Sequence, residues 1–288
     1  MPIEQAPAPP SGAPGKGRGR AGRDVPVAIG VGLLLAALVV VPLVVYKPAF
    51  VVVAALALAI GVWELVAALR VRDLHPPLVP LVAGAVVLPA AAYLHGFGGL
   101  AWSLLATVAG SALWRLSGPR PGVRRDVLAA TGVAVYVPLL ASFALLLAAS
   151  PDGARRVVTF VLLTVASDVG GFATGVLLGR HRLAPSVSPG KTWEGLAGSV
   201  VTSVAAGVVA MTLLVPGTAW QGAVLGVVVA VTATLGDLGQ SLIKRRTGIK
   251  DMGTLLPGHG GLMDRLDSLL PCAPVGYLLL LAFVPLPG

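Results

Sequence analysis

Long apolar stretches separated by short polar segments run along the chain from residue 25 onward. A helix needs about 20 apolar residues to cross the hydrocarbon core of a bilayer. By that measure the pattern predicts an all-α, polytopic integral membrane protein, with a re-entrant hairpin as the alternative for the short third and fourth segments. The nine predicted spans are residues 25–46, 49–69, 77–94, 98–114, 127–149, 157–179, 195–215, 219–242 and 268–287.

Composition supports a bilayer environment. Of the 288 residues, 56% are hydrophobic and only 11% are charged, whereas about 25% charged residues is usual in a soluble domain. The mean hydropathy of the chain is +0.89. These values exclude a water-soluble globule. The single cysteine, Cys272, also excludes an internal disulfide and a cysteine-based zinc cage.

The first 24 residues differ from the rest of the chain. They are rich in proline, glycine and alanine, contain four basic residues and show no apolar period. We expect residues 1–24 to be a disordered basic tail beside an anionic membrane surface. The remainder is expected to comprise N-terminal transmembrane helices, residues 25–150, and a C-terminal transmembrane catalytic region, residues 151–288.

The basic residues predict the orientation. If the N-terminus is cytosolic, 18 of the 21 lysines and arginines fall in cytosolic segments, and only Lys47, Arg155 and Arg156 fall outside. Such a bias is typical of membrane proteins. The net charge of +9 is thereby explained without a nucleic-acid partner. The bias towards Ala, Val, Gly and Arg suggests a GC-rich bacterial genome, so we expect a bacterial cell membrane protein.

A carboxylate lies in the middle of the sixth predicted span. Asp168 shares a helix face with Gly171, Gly175 and Gly179, and glycines at this spacing let a neighbouring helix approach closely. Intramembrane carboxylates are commonly functional. We therefore expect Asp168 to point into the bundle and to take part in function, with a structural hydrogen bond as the alternative. For Glu64 in the second span we favour a structural role.

The loop after the sixth span carries a candidate phosphate ligand. Thr192 can cap the helix that follows it, although Glu194 comes one residue too early for a capping box. The free N–H groups and the dipole of a helix N-terminus favour anions such as phosphate. Lys191 is therefore predicted to bind phosphate, and an exposed lysine at a helix start is an equally good interpretation.

The densest group of polar residues lies between residues 236 and 267. If the eighth helix continues to Leu242 or beyond, then Asp237, Ser241 and Lys244 share one face at its cytosolic end. A glycine-rich turn follows at residues 257–261, where backbone N–H groups can approach a phosphate chain. Cations suited to binding phosphate accompany these residues: Lys244, Arg245, Arg246 and Lys250.

Two further acids lie one helical turn apart. Asp264 and Asp267 face the same way if the ninth helix begins here. Mg²⁺ typically takes one or two carboxylates together with substrate phosphates and water, so these residues are candidate ligands. His259 could donate a hydrogen bond to phosphate or act as a general base. We favour the binding role, because attack by a phosphate needs little proton transfer. A charged juxtamembrane loop would explain the basic residues but not the acids or glycines.

At these residues the chain resembles the phosphatidate cytidylyltransferase family, also called CDP-diacylglycerol synthases. Besides the family signature, Ser167-Asp168 and residues 188–195 are also similar to family members, so the resemblance covers residues 167–267. The chain departs from many members at Gly171-Phe172, where Ala-Tyr is common, at Val176, where Arg is common, and at Gly190, where Lys is frequent. The family signature is filled here by Ser241-x-Ile243-Lys244-Arg245, Lys250-Asp251-x-Gly253 and Leu256-Pro257-x-His259-Gly260-Gly261-Leu262-x-Asp264-Arg265-Leu266-Asp267.

The resemblance implies that CTP and phosphatidate react to give CDP-diacylglycerol and pyrophosphate, with a divalent metal. We expect Mg²⁺, and a second metal ion is left open. The expected catalytic residues are Asp237, Asp264 and Lys244, and the expected metal ligands are Asp237, Asp264 and Asp267. Substrate binding is expected at Asp168, Lys191, Arg245, Lys250, Asp251, His259, Gly260, Gly261 and Arg265.

Membrane lipids are expected partners, a homodimer is left open, and the active site is expected on the cytosolic side. Two other functions are compatible with parts of the pattern. A Mg²⁺-dependent membrane prenyltransferase would also use a D-x-x-D motif, but the second aspartate motif expected of such an enzyme is missing. A secondary transporter would explain Asp168 and the glycines, but it would not require a cation-rich phosphate loop.

Overall fold

The computed structural model describes residues 25–118, 121–253, 255 and 260–285. The predicted tail, residues 1–24, and His259 lie outside the described residues. Seven helical segments within the described part of the chain are long and apolar enough to cross a membrane. The prediction of an all-α, polytopic membrane protein is confirmed. The number of crossings and the orientation of the N-terminus stay predictions.

Helices account for most of the described chain, and a π-helical turn, Val135–Leu139, joins α4 to α5. The helices are α1 Val25–Val45, α2 Lys47–Arg70, α3 Leu78–Leu116, α4 Val123–Ala134, α5 Leu140–Ala149, α6 Gly153–Leu178, α7 Trp193–Leu213, α8 Ala219–Thr247, α9 Met263–Leu266 and α10 Leu269–Phe283.

Helix α3 folds back on itself at Gly96. This residue has φ 62° and ψ −149°, a backbone conformation that glycine adopts readily because it has no Cβ. A Cβ placed on Gly84 would lie 2.6 Å from Oγ1 of Thr107, and one placed on Gly110 would lie 4.0 Å from Cβ of Pro80. The two arms of α3 therefore run antiparallel, and they correspond to the third and fourth predicted spans.

Small residues bring α6, α7 and α8 close together. Gly171 of α6 faces α7, where a Cβ would collide with the hydroxyl of Ser199, and that hydroxyl donates to the carbonyl oxygen of Ser167 at 2.8 Å. A Cβ on Gly222 of α8 would lie 2.5 Å from the carbonyl carbon of Gly207 in α7. Such close backbone approach and hydroxyl hydrogen bonds are typical of helix packing in membranes, as the glycine pattern predicted for α6.

Two of the three cations predicted to lie outside occupy one end of the bundle. Lys47 donates to the carbonyl oxygen of Ser150 at 2.6 Å. Arg156 is fully buried, pairs with Asp152 at 2.8 Å and donates to the carbonyl oxygen of Val284 at 2.8 Å. The guanidinium thus satisfies a free carbonyl group at the end of α10.

The loop between α6 and α7 forms a β-hairpin that the sequence pattern did not predict. Its strands, β1 Arg182–Ala184 and β2 Ser188–Thr192, pair antiparallel. The predicted cap on α7 is confirmed, because the side chain of Thr192 accepts a hydrogen bond from the N–H of Gly195 at 3.0 Å. Lys191 therefore sits on β2, one residue before the cap.

Candidate active site

A cavity of about 610 Å³ lies between α6, the β-hairpin, the C-terminal part of α8 and helix α9. Volumes of this size are typical of small-molecule sites. Eight charged side chains line the cavity, and each of them was expected as a site residue, from the sequence pattern or from the family resemblance. They are Asp168, Lys191, Asp237, Lys244, Asp251, Asp264, Arg265 and Asp267.

Helix α8 and the α9–α10 segment approach closely beside this cavity. A Cβ on Gly236 would lie 2.7 Å from the carbonyl oxygen of Asp267 and would collide with the ring of Pro271. One turn further along α8, Gln240 donates to the carbonyl oxygen of Met263 at 2.6 Å, and its side chain is fully buried. Gln240 was not among the residues expected from the sequence. Gln240 lies four residues after Gly236, on the same face of α8, and this spacing could have indicated that it packs at the same helix contact.

Two carboxylates meet where these elements converge, and a third lines the same cavity. The carboxyl groups of Asp237 and Asp267 lie within hydrogen-bonding reach of each other, and Asp237 also forms an ion pair with Lys191 of β2. Asp168 lines the same cavity and accepts a hydrogen bond from the hydroxyl of Ser268 at 2.8 Å. This hydrogen bond is of the kind expected for the structural alternative, and the role of Asp168 in function stays a prediction.

Asp264 has different neighbours, although it lies one turn from Asp267. Its Oδ1 accepts from Nζ of Lys244 at 2.9 Å. Its Oδ2 accepts from the N–H groups of Met252 at 2.9 Å and Gly261 at 3.0 Å. Both oxygens are thus engaged, and Asp264 connects the end of α8 to the loop that precedes α9.

Some predicted site residues lie outside the cavity lining. Arg245 is exposed and donates to the carbonyl oxygen of Val187 at 3.3 Å, which places it beside the β-hairpin. Lys250 is exposed. Gly260 has φ 80°, a left-handed conformation that favours glycine, and its Cβ position lies 3.0 Å from Oδ2 of Asp264. Gly260 and Gly261 therefore shape the loop behind Asp264.

The carboxylates of the cavity are suited to a divalent cation that is also coordinated by a phosphorylated substrate. No group of three or more potential ligands in a metal-binding arrangement occurs among the described residues. The Asp237–Asp267 pair nevertheless supplies two hard oxygen donors, and the cavity lining has five carboxylates against three cations. Because Mg²⁺ commonly binds through one or two carboxylates plus phosphates and water, the pair meets that requirement.

Two of the three departures from the family pattern lie on the apolar side of the cavity. Phe172 and Val176 line it, and their side chains are 74% and 68% exposed. They follow Asp168 at intervals of one helical turn, so the three residues lie on one face of α6. That face is acidic at Asp168 and apolar at the next two positions. The third departure, Gly190, also lines the cavity, and nothing lies within 4 Å of its Cβ position.

Comparisons with known proteins show the family. The model of the cytidylyltransferase family matches residues 26–283. The chain is 42% identical over 281 residues to a phosphatidate cytidylyltransferase of Mycobacterium leprae, covering 92% of this chain and 90% of that protein. It is 41% identical over 280 residues to the Mycobacterium tuberculosis protein of the same name, with 90% and 83% covered. A phosphatidate cytidylyltransferase of Brucella suis is 37% identical over 137 residues, with 48% and 51% covered.

Proposed function

The chain belongs to the cytidylyltransferase family, and we propose that the cavity between α6, α8 and α9 is its active site. The protein is a phosphatidate cytidylyltransferase that converts CTP and phosphatidate into CDP-diacylglycerol and pyrophosphate in phospholipid biosynthesis. The observation that carries the site assignment is the convergence of Asp237, Asp267, Lys191 and Lys244 in one cavity that borders apolar surface.

The reaction joins two anions, so the site has to neutralise charge. An oxygen of the phosphatidate phosphate forms a bond to the α-phosphorus of CTP, the bond from that phosphorus to the β-phosphate oxygen breaks, and pyrophosphate leaves. Catalysis of such transfers rests on positioning and electrostatic stabilisation. Lys191, Lys244 and Arg265 are the cations of the lining, and we assign them to the phosphates of the two substrates.

We assign the divalent cation, Mg²⁺, to Asp237 and Asp267. When bound, it would neutralise charge on the triphosphate and on the departing pyrophosphate. Asp168 supports this assignment because it adds a third carboxylate to the lining of the same cavity. Asp264 was also expected to bind metal, and its contacts favour a different contribution: it holds Lys244 and the loop amides in place.

Phosphatidate is proposed to enter from the lipid along α6. Phe172 and Val176 are exposed and apolar, so the acyl chains can remain in the membrane while the phosphate reaches Asp168 and the cations beyond it. This route would let a lipid substrate meet a water-soluble nucleotide without leaving the bilayer. We place the cavity on the cytosolic side of the cell membrane, because the positive-inside bias gives that orientation to the ends of α6 and α8.

CTP is proposed to enter from the aqueous side, past the β-hairpin. Lys191 lies on β2, and Arg245 contacts the same hairpin through Val187. Arg245 and the exposed Lys250 are suited to attracting the triphosphate. Asp251, which lines the cavity, and His259, outside the described residues, remain proposed substrate contacts.

The assignment can be tested with purified enzyme in detergent. Pyrophosphate release from CTP should require phosphatidate, and Lys244→Gln should lower kcat by at least tenfold because a cation that contacts phosphate is lost. Arg246→Gln is the matched control, since Arg246 is exposed, lies two residues away and is not in the lining. Equal loss in both variants would show that general surface charge, and not the cavity, supports turnover.

A further inference from the structure

A buried carboxylate of α2 accepts hydrogen bonds at the start of α9, where the loop of the family signature ends. Glu64 is 1% exposed. Its two oxygens accept hydrogen bonds from the N–H of Leu262 at 3.1 Å and the N–H of Met263 at 2.8 Å. These partners are nearly 200 positions away in the sequence. A helix of the N-terminal region therefore contacts the loop that leads into α9.

Two signature glycines are packed against the same carboxylate. A Cβ on Gly253 would lie 2.5 Å from Cδ and 2.9 Å from Cγ of Glu64, and its three nearest neighbours are all atoms of this side chain. A Cβ on Gly261 would lie 2.6 Å and 2.7 Å from the two oxygens of Glu64. Real Cβ atoms essentially never approach so closely, so a larger residue at either position would require the Glu64 side chain or the loop to shift.

Three consecutive amides, those of residues 261–263, are held by two carboxylates. The N–H of Gly261 bonds to Asp264, while those of Leu262 and Met263 bond to Glu64. Asp264 follows immediately and bonds to Lys244. A shift of the loop away from Glu64 would therefore move Asp264, and with it the ammonium group of Lys244.

We propose that Glu64 is a positioning residue for cytidylyl transfer. It is not part of the cavity lining and acts through the loop, by fixing where α9 begins and hence where Asp264 and Lys244 stand. This inference rests on the proposed active site. It also gives the N-terminal helices a role in the reaction, because Glu64 of α2 positions the loop before α9, whereas the cavity itself is lined by residues of the C-terminal region.

A double-mutant cycle separates this role from general stability. Gly253→Ala should lower kcat at least tenfold, because the added methyl group collides with Glu64 and displaces the loop. In a Glu64→Ala background the collision is absent, so the same glycine substitution should change kcat by less than about twofold. Residues in contact show such non-additivity, whereas independent ones do not. An equal loss from Gly253→Ala in both backgrounds would overturn the proposal.

Glu64→Gln supplies a second readout, because an amide keeps the shape of the side chain but only one of its two acceptor oxygens. It should lower kcat about tenfold or more and leave the KM for phosphatidate within about twofold. Asp126→Asn is the matched control, since Asp126 is another buried carboxylate that accepts a backbone N–H, from His75, and it lies outside the cavity lining.

The control should lower the thermal unfolding temperature while kcat per folded enzyme stays near wild type. If Glu64→Gln behaves in the same way, with unchanged kcat, then Glu64 is only structural and the proposal fails. Failure of the proposed active site is distinguishable, because Lys244→Gln would then also leave kcat unchanged.

Discussion

The close approach of α8 to α9 and α10 makes Gly236→Ala the most informative steric change. The new Cβ would lie 2.7 Å from the carbonyl oxygen of Asp267 and 3.3 Å from Cδ of Pro271. Ordinary contact begins at about 3.4 Å, so the helices must separate by about 0.7 Å or more. Asp237 follows directly on α8, and the separation would draw its carboxyl group away from that of Asp267.

The magnitude follows from the sensitivity of catalysis to geometry. Misplacement by about 1 Å can cost about 100-fold in rate, so we expect kcat to fall between about tenfold and 100-fold. The Mg²⁺ concentration for half-maximal rate should rise, because the proposed ligand pair no longer fits one ion. Overpacking of this kind also destabilises by about 1–3 kcal/mol, and thermal unfolding in detergent would report that part separately.

Gly239→Ala provides the control on the same helix. Nothing lies within 4 Å of its Cβ position, and alanine is favoured over glycine in helices by about 1 kcal/mol. Pyrophosphate release by this variant should match wild type over the whole Mg²⁺ titration. If both alanine variants have the same rate and the same Mg²⁺ requirement, the idea that α8–α9 contact aligns the two aspartates is refuted.

Three further changes test separate parts of the structure. Lys191→Ala should raise the KM for CTP about tenfold in steady-state assays; an unchanged KM would remove Lys191 from the nucleotide site. Phe172→Asp should raise the KM for phosphatidate but not for CTP, because a charge would block the apolar side of the cavity; equal effects on both substrates would contradict lateral entry. Gly207→Ala should lower stability by about 1–3 kcal/mol through collision with α8, whereas Gly132→Ala, with nothing within 4 Å, should not.

Local spacing in the sequence was enough to predict several features of the site. Asp237 and Lys244 are seven residues apart, and once α8 extends to Thr247 that spacing places both on one helix face. The glycine pattern of α6 likewise predicted a face that packs closely, because a helix repeats every 3.6 residues. The family signature then singled out Asp264 and Asp267, although the short helix α9 before α10 was not predicted.

Partners from distant segments could not be predicted in this way. The pairing of Lys191 with Asp237 depends on how the β-hairpin folds over α8, and no local period encodes that. For Glu64 the sequence favoured a structural role but indicated no partner, because its partners come from a loop nearly 200 residues later. The two strands are three and five residues long, too short to give a clear alternation of polar and apolar residues.

The most direct test of the account is whether Asp237 and Asp267 form the metal site of the cavity. Mn²⁺ binding in the presence of CTP can be measured by electron paramagnetic resonance, alongside Mg²⁺-dependent pyrophosphate release, for wild type, Asp267→Asn and the control Asp73→Asn. Asp73 is exposed and lies outside the cavity lining. We predict that Asp267→Asn loses most metal binding and turnover while Asp73→Asn retains both. Metal affinity and turnover of Asp267→Asn equal to wild type would contradict the account.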